Sequence, residues 1–103
     1  MLAMNKLQIQ NVVGQVMREE PDADAIQRVA LFGSFVRGDA RPDSDVDLLF
    51  EMRTAMSLFQ IGGIQYRLQQ GLGRKVDFVP RESVVPQLKA AILTEAETIY
   101  ERS

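Results

Sequence analysis

The chain contains no cysteine and no histidine. Without cysteine there is neither a disulfide nor a thiolate metal site. Without histidine the commonest zinc ligand and the commonest general base are both missing, so any metal must be held by oxygen ligands. No apolar run approaches the ~20 residues of a membrane span, and no membrane partner is expected. The opening MLAMNKLQIQN lacks the long apolar stretch and small-residue cleavage site of a secretory signal, which makes a cytoplasmic protein the expectation. Basic residues are not in excess. With 12 Lys and Arg against 14 Asp and Glu the net charge is -2, which argues against broad binding to a nucleic-acid backbone.

What is present suits a small globular protein. A length of 103 residues, 46% hydrophobic and 25% charged, predicts a single domain over residues 1–103. A chain of this size buries roughly two-thirds of its unfolded surface and folds without staples.

Residues 4–19 read as a helix, because Ile9, Val12, Val13, Val16 and Met17 recur on one stripe. Pro21 and Asp22-Ala23-Asp24 end it in a polar loop. Gln27–Phe32 reads as a strand buried on both faces, as in the middle of a sheet. Gly33-Ser34 turns the chain into one helical turn, Ser34–Arg37, closed by Gly38. Residues 39–43 form a loop, and Ser44–Met52 a second strand. Thr54–Gln70 reads as a helix with Leu58, Ile61, Ile64, Leu68 and Leu72 on its inner side, interrupted at Gly62-Gly63 by a kink, a break or a close backbone approach. Arg74–Val79 is a third strand. Pro86 opens a last helix, predicted to run to about Arg102, with Leu88, Ile92, Ala96 and Ile99 inside. Tyr66 and Tyr100 read as amphipathic residues on helix faces, and Asp39, Asp43, Glu51 and Glu82 as solvated charges.

The chemistry concentrates between Leu31 and Phe50, LFGSFVRGDARPDSDVDLLF. Gly33 allows close backbone approach, the helical turn after it presents N–H groups, and the Ser34 hydroxyl adds a donor. Together they make an anion site suited to phosphate, which Arg37 can reach with its fork of donors. The plain alternative is a strand-to-helix turn with a serine cap. Ten residues separate Ser34 from Asp45, and Asp47 follows two positions on. Side chains alternate along a strand, so both carboxylates fall on one face, roughly 7 Å apart at the backbone. Like charges there repel unless something positive lies between them, and magnesium, which takes oxygen ligands, is the fitting cation. Asp77 on the third strand supplies a further carboxylate that can ligate a metal or accept a proton from a hydroxyl. Its alternative is an ion pair with Lys75 or Arg74.

Gly33-Ser34, a ten-residue gap and Asp45-x-Asp47 match the signature of the DNA polymerase β-like nucleotidyltransferase superfamily. The wording GSFVRGDARPDSDVDLLF resembles its smallest branch, the minimal nucleotidyltransferases (MNT), and the likeness extends to GRKVDFV and to the closing ILTEAETIYE. The resemblance implies an α/β (α+β) polymerase β-like fold, a small mixed sheet flanked by helices. It implies Mg2+, ATP as nucleotide substrate and transfer of AMP to a hydroxyl. Asp45, Asp47 and Asp77 would be catalytic and metal-binding residues. Gly33, Ser34, Arg37 and Ser44 would bind nucleotide. It further implies an antitoxin paired with a HEPN-family toxin in a toxin–antitoxin system.

The catalytic core read in this way uses nearly the whole chain and leaves little to build an acceptor pocket. A partner protein bringing its own hydroxyl fits better than a small antibiotic or a nucleic acid, and a homo-oligomer remains open. Two alternatives stand beside the enzyme. One is a catalytically weak module that neutralises its toxin by occlusion, and the other a small-molecule nucleotidyltransferase subunit.

Overall fold

The computed structural model describes residues 4–103. Helix α1 (Lys6–Glu19) opens with a capping box in which Asn5 and Gln8 satisfy each other's backbone N–H. A short 3-10 turn at Pro21–Ala25 leads into strand β1 (Ile26–Phe32). The single turn α2 (Ser34–Arg37) follows, and then strand β2 (Val46–Met52). Helix α3 (Leu58–Leu72) carries a second capping box, Ser57 with Gln60. Strand β3 (Val76–Pro80), helix α4 (Pro86–Glu95) and strand β4 (Glu97–Glu101) complete the chain.

The four strands form one mixed sheet in the order β3-β2-β1-β4. β1 runs antiparallel to β2 and to β4, whereas β2 and β3 are parallel and joined by the crossover α3. β1 therefore lies inside the sheet, which is why Val29, Ala30 and Leu31 are all buried. One sheet face carries Val29, Leu31, Val46, Leu48, Val76 and Phe78 into a core with Ile9, Val13, Val16 and Met17 of α1 and Ile64, Leu68 and Leu72 of α3. Phe50 and Phe78 stack in that core with ring centroids 4.1 Å apart. The other face presents Asp47, Leu49 and Glu51 of β2 beside Ala30 and Arg28 of β1 and Asp77 and Val79 of β3. The mixed sheet flanked by helices is the architecture the sequence led us to expect.

Three local expectations are corrected. The last helix stops at Glu95, and Glu97–Glu101 is a strand paired with β1. Its ETIYE sequence alternates with β-branched and aromatic residues, and the open edge of β1 offered a partner that helical periodicity could not reveal. Ile99 is consequently buried by strand alternation, Tyr100 sits on a strand, and Leu88 is exposed. Gly62-Gly63 neither breaks α3 nor marks a close approach within the chain, since a Cβ at either position would meet nothing within 4 Å. The close approach falls instead at Gly71, where a Cβ would press on Val12 of α1. Leu58 is not on the inner stripe of α3 but 85% exposed, next to Phe59 at 94%.

Candidate active site

β1 ends at Phe32, opposite Asp47 of β2 in the antiparallel register. Gly33 then takes φ 80°, a conformation that side chains disfavour, and redirects the chain into α2. There is a second reason for glycine. A Cβ at this position would collide with the Asp47 carboxylate. The turn closes with bonds from the Val36 and Arg37 N–H groups to the Gly33 carbonyl, and Gly38 at φ 85° ends it.

Asp47 is in turn the register partner of Asp77 on β3. Adjacent strands lie about 4.8 Å apart, so the two carboxyl groups face each other side by side. Asp45, just ahead of β2, stands alongside. Burial pushes the Asp47 carboxyl up to about 6, reinforced by a proton shared with Asp77 and by the charges of Asp77 and Asp45, while Arg37 pulls it down. Lys75 supplies the nearest ammonium, 3.8 Å from Asp45 Oδ2 and 4.0 Å from Asp77 Oδ1. Its side chain is 65% exposed, so these contacts are weak and solvent-screened. The ion-pair alternative for Asp77 is thus present only at the limit of contact. Among the described residues no three acids close into a ready-made metal cage. The carboxylates form an open row along one side.

The structure brings Gly33, Arg37, Asp45, Asp47 and Asp77 to one end of the sheet's strands. Ser34 begins α2 beside them. Ser44 is engaged locally. Its hydroxyl accepts from the Arg41 N–H at 2.7 Å and so shapes the loop entering β2. Phe35 turns away from the site into the core, with the Arg74 guanidinium 5.4 Å from its ring centroid. Arg74 also donates to the Ser44 carbonyl.

Glu95, at the end of α4, is a participant that the sequence does not signal. Its Oε2 accepts from the Gly33 N–H at 2.9 Å and its Oε1 from Arg37 Nη1 at 3.0 Å. These bonds, that from Gly33 foremost, hold the carboxyl below its ordinary value. Beyond the carboxylates, on the same sheet face, lies a groove of about 340 Å³ bordered by Ala30, Leu49, Arg81, Leu93 and Thr98. A second hollow, at the start of α3, is lined only by Leu58, Phe59, Gly62 and Gly63 and holds no ionisable group. Among the described residues no helix is long and apolar enough to cross a membrane.

Known proteins resemble this chain over most of its length. The family described as nucleotidyltransferase domain matches residues 10–99. A candidate protein adenylyltransferase of Methanocaldococcus jannaschii is 37% identical over 71 residues, 69% of this chain and 76% of that protein. The protein adenylyltransferase MntA of Thermococcus cleftensis is 30% identical over 88 residues, 85% of this chain and 89% of that protein. A solved complex of a tri-AMPylated HEPN toxin with an MNT antitoxin from Shewanella oneidensis contains a chain of the same fold. That chain matches with a TM-score of 0.71 and 19% identity, over 96% of this chain and 74% of its own length.

Proposed function

The chain belongs to the nucleotidyltransferase domain family, and from that membership we propose that it moves AMP from ATP to a hydroxyl on a partner protein, a HEPN-family toxin, and so acts as its antitoxin. The observation that carries the reading is the pairing of Asp47 with Asp77 directly beside the Gly33 turn. An anion-accepting turn and a row of carboxylates at one end of the sheet's strands are the two halves of a metal-assisted phosphoryl-transfer site.

The donor set fits magnesium. It consists of carboxylate oxygens alone, it leaves one side open for phosphate oxygens, and the burial and neighbouring carboxylates that push Asp47 up to about 6 are what a bound cation would offset. Asp45, Asp47 and Asp77 would hold the ion, which when bound supplies positive charge to the phosphate oxygens. The Gly33 N–H, the Ser34 hydroxyl and Arg37 hold the triphosphate, and Ser44 positions the loop that carries Asp45 to it. The acceptor hydroxyl oxygen attacks the α-phosphorus and forms the new O–P bond. The bond from that phosphorus to the oxygen bridging the β-phosphate breaks, and pyrophosphate leaves with the electron pair. Asp77 takes the hydroxyl proton.

A protein acceptor is supported by the groove of about 340 Å³ that continues from the carboxylates along the sheet, where an acceptor's segment can lie. It is also supported by the names of the two relatives. A second reading, neutralisation by binding alone, is favoured by one observation. Leu58 and Phe59 stand almost fully exposed around an uncharged hollow, the character of a docking surface.

The test uses the purified protein, magnesium, ATP labelled at the α-phosphate and the product of the adjacent gene. The expected result is label on the neighbour with a mass gain of one or more AMP groups, lost with Asp45→Asn. A stable complex without label would select the occluding module. Label transferred to an aminoglycoside without a protein acceptor would select a small-molecule enzyme.

A further inference from the structure

Glu95 lies 62 residues from Gly33 and 58 from Arg37, yet it places one carboxylate oxygen on each. A peptide N–H and a guanidinium are the donors that a phosphate group would take at this turn. We propose that the Glu95 carboxylate is an internal stand-in for a nucleotide phosphate, and that a bound triphosphate displaces it and releases α4. The proposal rests on the nucleotide site assigned above.

Three observations support it. The Gly33 N–H carries one hydrogen and Glu95 Oε2 already holds it, so a phosphate that takes this donor must exchange with the carboxylate, whereas Arg37, which also touches Asp39, keeps further N–H groups for the incoming anion. Glu95 is ionised, because the same bonds hold it below its ordinary value. And α4 has little else to hold it. It buries no residue, and among the described residues its only other side-chain hydrogen bond, Thr94 to the Ala90 carbonyl, is internal. The helix therefore rests on the site through Glu95. Its Leu93 also borders the groove beside the carboxylates, so releasing α4 widens the space where an acceptor would lie. An internal competitor lowers the apparent affinity for every ligand by the fraction of molecules in which the turn is free.

Titration calorimetry of the wild type and Glu95→Gln with ATP and magnesium, and with metal-free sodium tripolyphosphate, tests the exchange. Tripolyphosphate without metal probes the turn independently of the carboxylates. Glu95→Gln is expected to bind both about three- to tenfold more tightly, the range for losing a charge-assisted competitor at a partly exposed site. Glu95→Asp, whose shorter arm cannot span both donors, should move in the same direction and guards against misfolding of either variant. Hydrogen exchange should show residues 86–95 of the wild type exchanging faster once ATP is bound, and those of Glu95→Gln already fast without it. Equal or weaker binding by both variants, with wild-type ATP binding intact, would overturn the proposal and make Glu95 an organiser of the turn. Failure of every protein to bind either ligand would refute the nucleotide site and the stand-in together.

Discussion

Gly33 and Asp47 are in direct contact across the end of the β1–β2 ladder, with the Asp47 carboxylate occupying the space where a side chain at Gly33 would begin. Turn and acid are thereby built as one unit. Gly33→Ala adds a collision to a positive φ, and should cost about 1–3 kcal/mol of stability while reducing AMP transfer more than about tenfold. Urea denaturation and the labelled-ATP assay check the two effects separately.

Asp47 sets a pH dependence. An acid raised to about 6 in the fold keeps its proton longer than the unfolded chain does, so its contribution to stability is full below about pH 4 and is lost as pH rises through 6. Glu95 and Glu101, held below their ordinary values by hydrogen bonds, act in the opposite sense. Their contribution is present above about pH 4.5 and fades with acid, outside the upper part of that window. Metal-free protein should therefore lose about 1 kcal/mol between about pH 4 and 7, less than the full linkage value because the carboxyl is part exposed. Thermal melts in EDTA should show this fall, a flattened profile for Asp47→Asn, and recovery near neutrality on adding magnesium and ATP.

The strand at the chain's end separates two residues that a helix would treat alike. Ile99→Ala should cost about 2–3 kcal/mol, because Ile99 is buried in the core, whereas Leu88→Ala should change stability by less than about 0.5 kcal/mol. Equal losses at both positions in denaturant titrations would contradict the assignment of β4.

Gly62 and Gly63 offer the opposite sign. Both lie inside α3 with open space where a Cβ would go, so Gly62→Ala and Gly63→Ala should each stabilise the fold by up to about 1 kcal/mol. A rise in melting temperature for either single variant is the readout.

Phe35 is the anchor of the site's turn. It is buried in the core, while Arg37 of the same turn reaches out to Glu95 beside the carboxylates. Phe35→Ala should cost about 3 kcal/mol or more. Its loss of ATP affinity should track the loss of fold, as measured by calorimetry at temperatures below and above its melt.

Much of this protein was legible in its residues because the signals are local. The periodicity of Ile9, Val13, Val16 and Met17 defines α1, and the run Val29–Leu31 defines an interior strand. Gly33 and Gly38 bracket one helical turn because both need positive φ. Alternation puts Asp47 opposite the face of Val46 and Leu48, and the same rule places Asp77 between Val76 and Phe78.

Tertiary structure alone decided the rest, since it depends on which distant segments meet. That Asp47 faces Asp77 rather than another acid follows from the parallel register of β2 and β3, which no local pattern encodes. ETIYE became a strand because β1 had an edge to offer, and Leu58 points out of the inner stripe even though Met56 before it and Ile61 after it pack against the core. Glu95 reaches the Gly33 turn only because β4 folds back along β1 and carries the end of α4 with it. Residue type and spacing determined what chemistry this chain can do. The pairing of strands far apart in sequence, with the burial and like-charge crowding it imposes, decided which carboxyl is pushed up in pKa and which carboxylate caps the Gly33 turn.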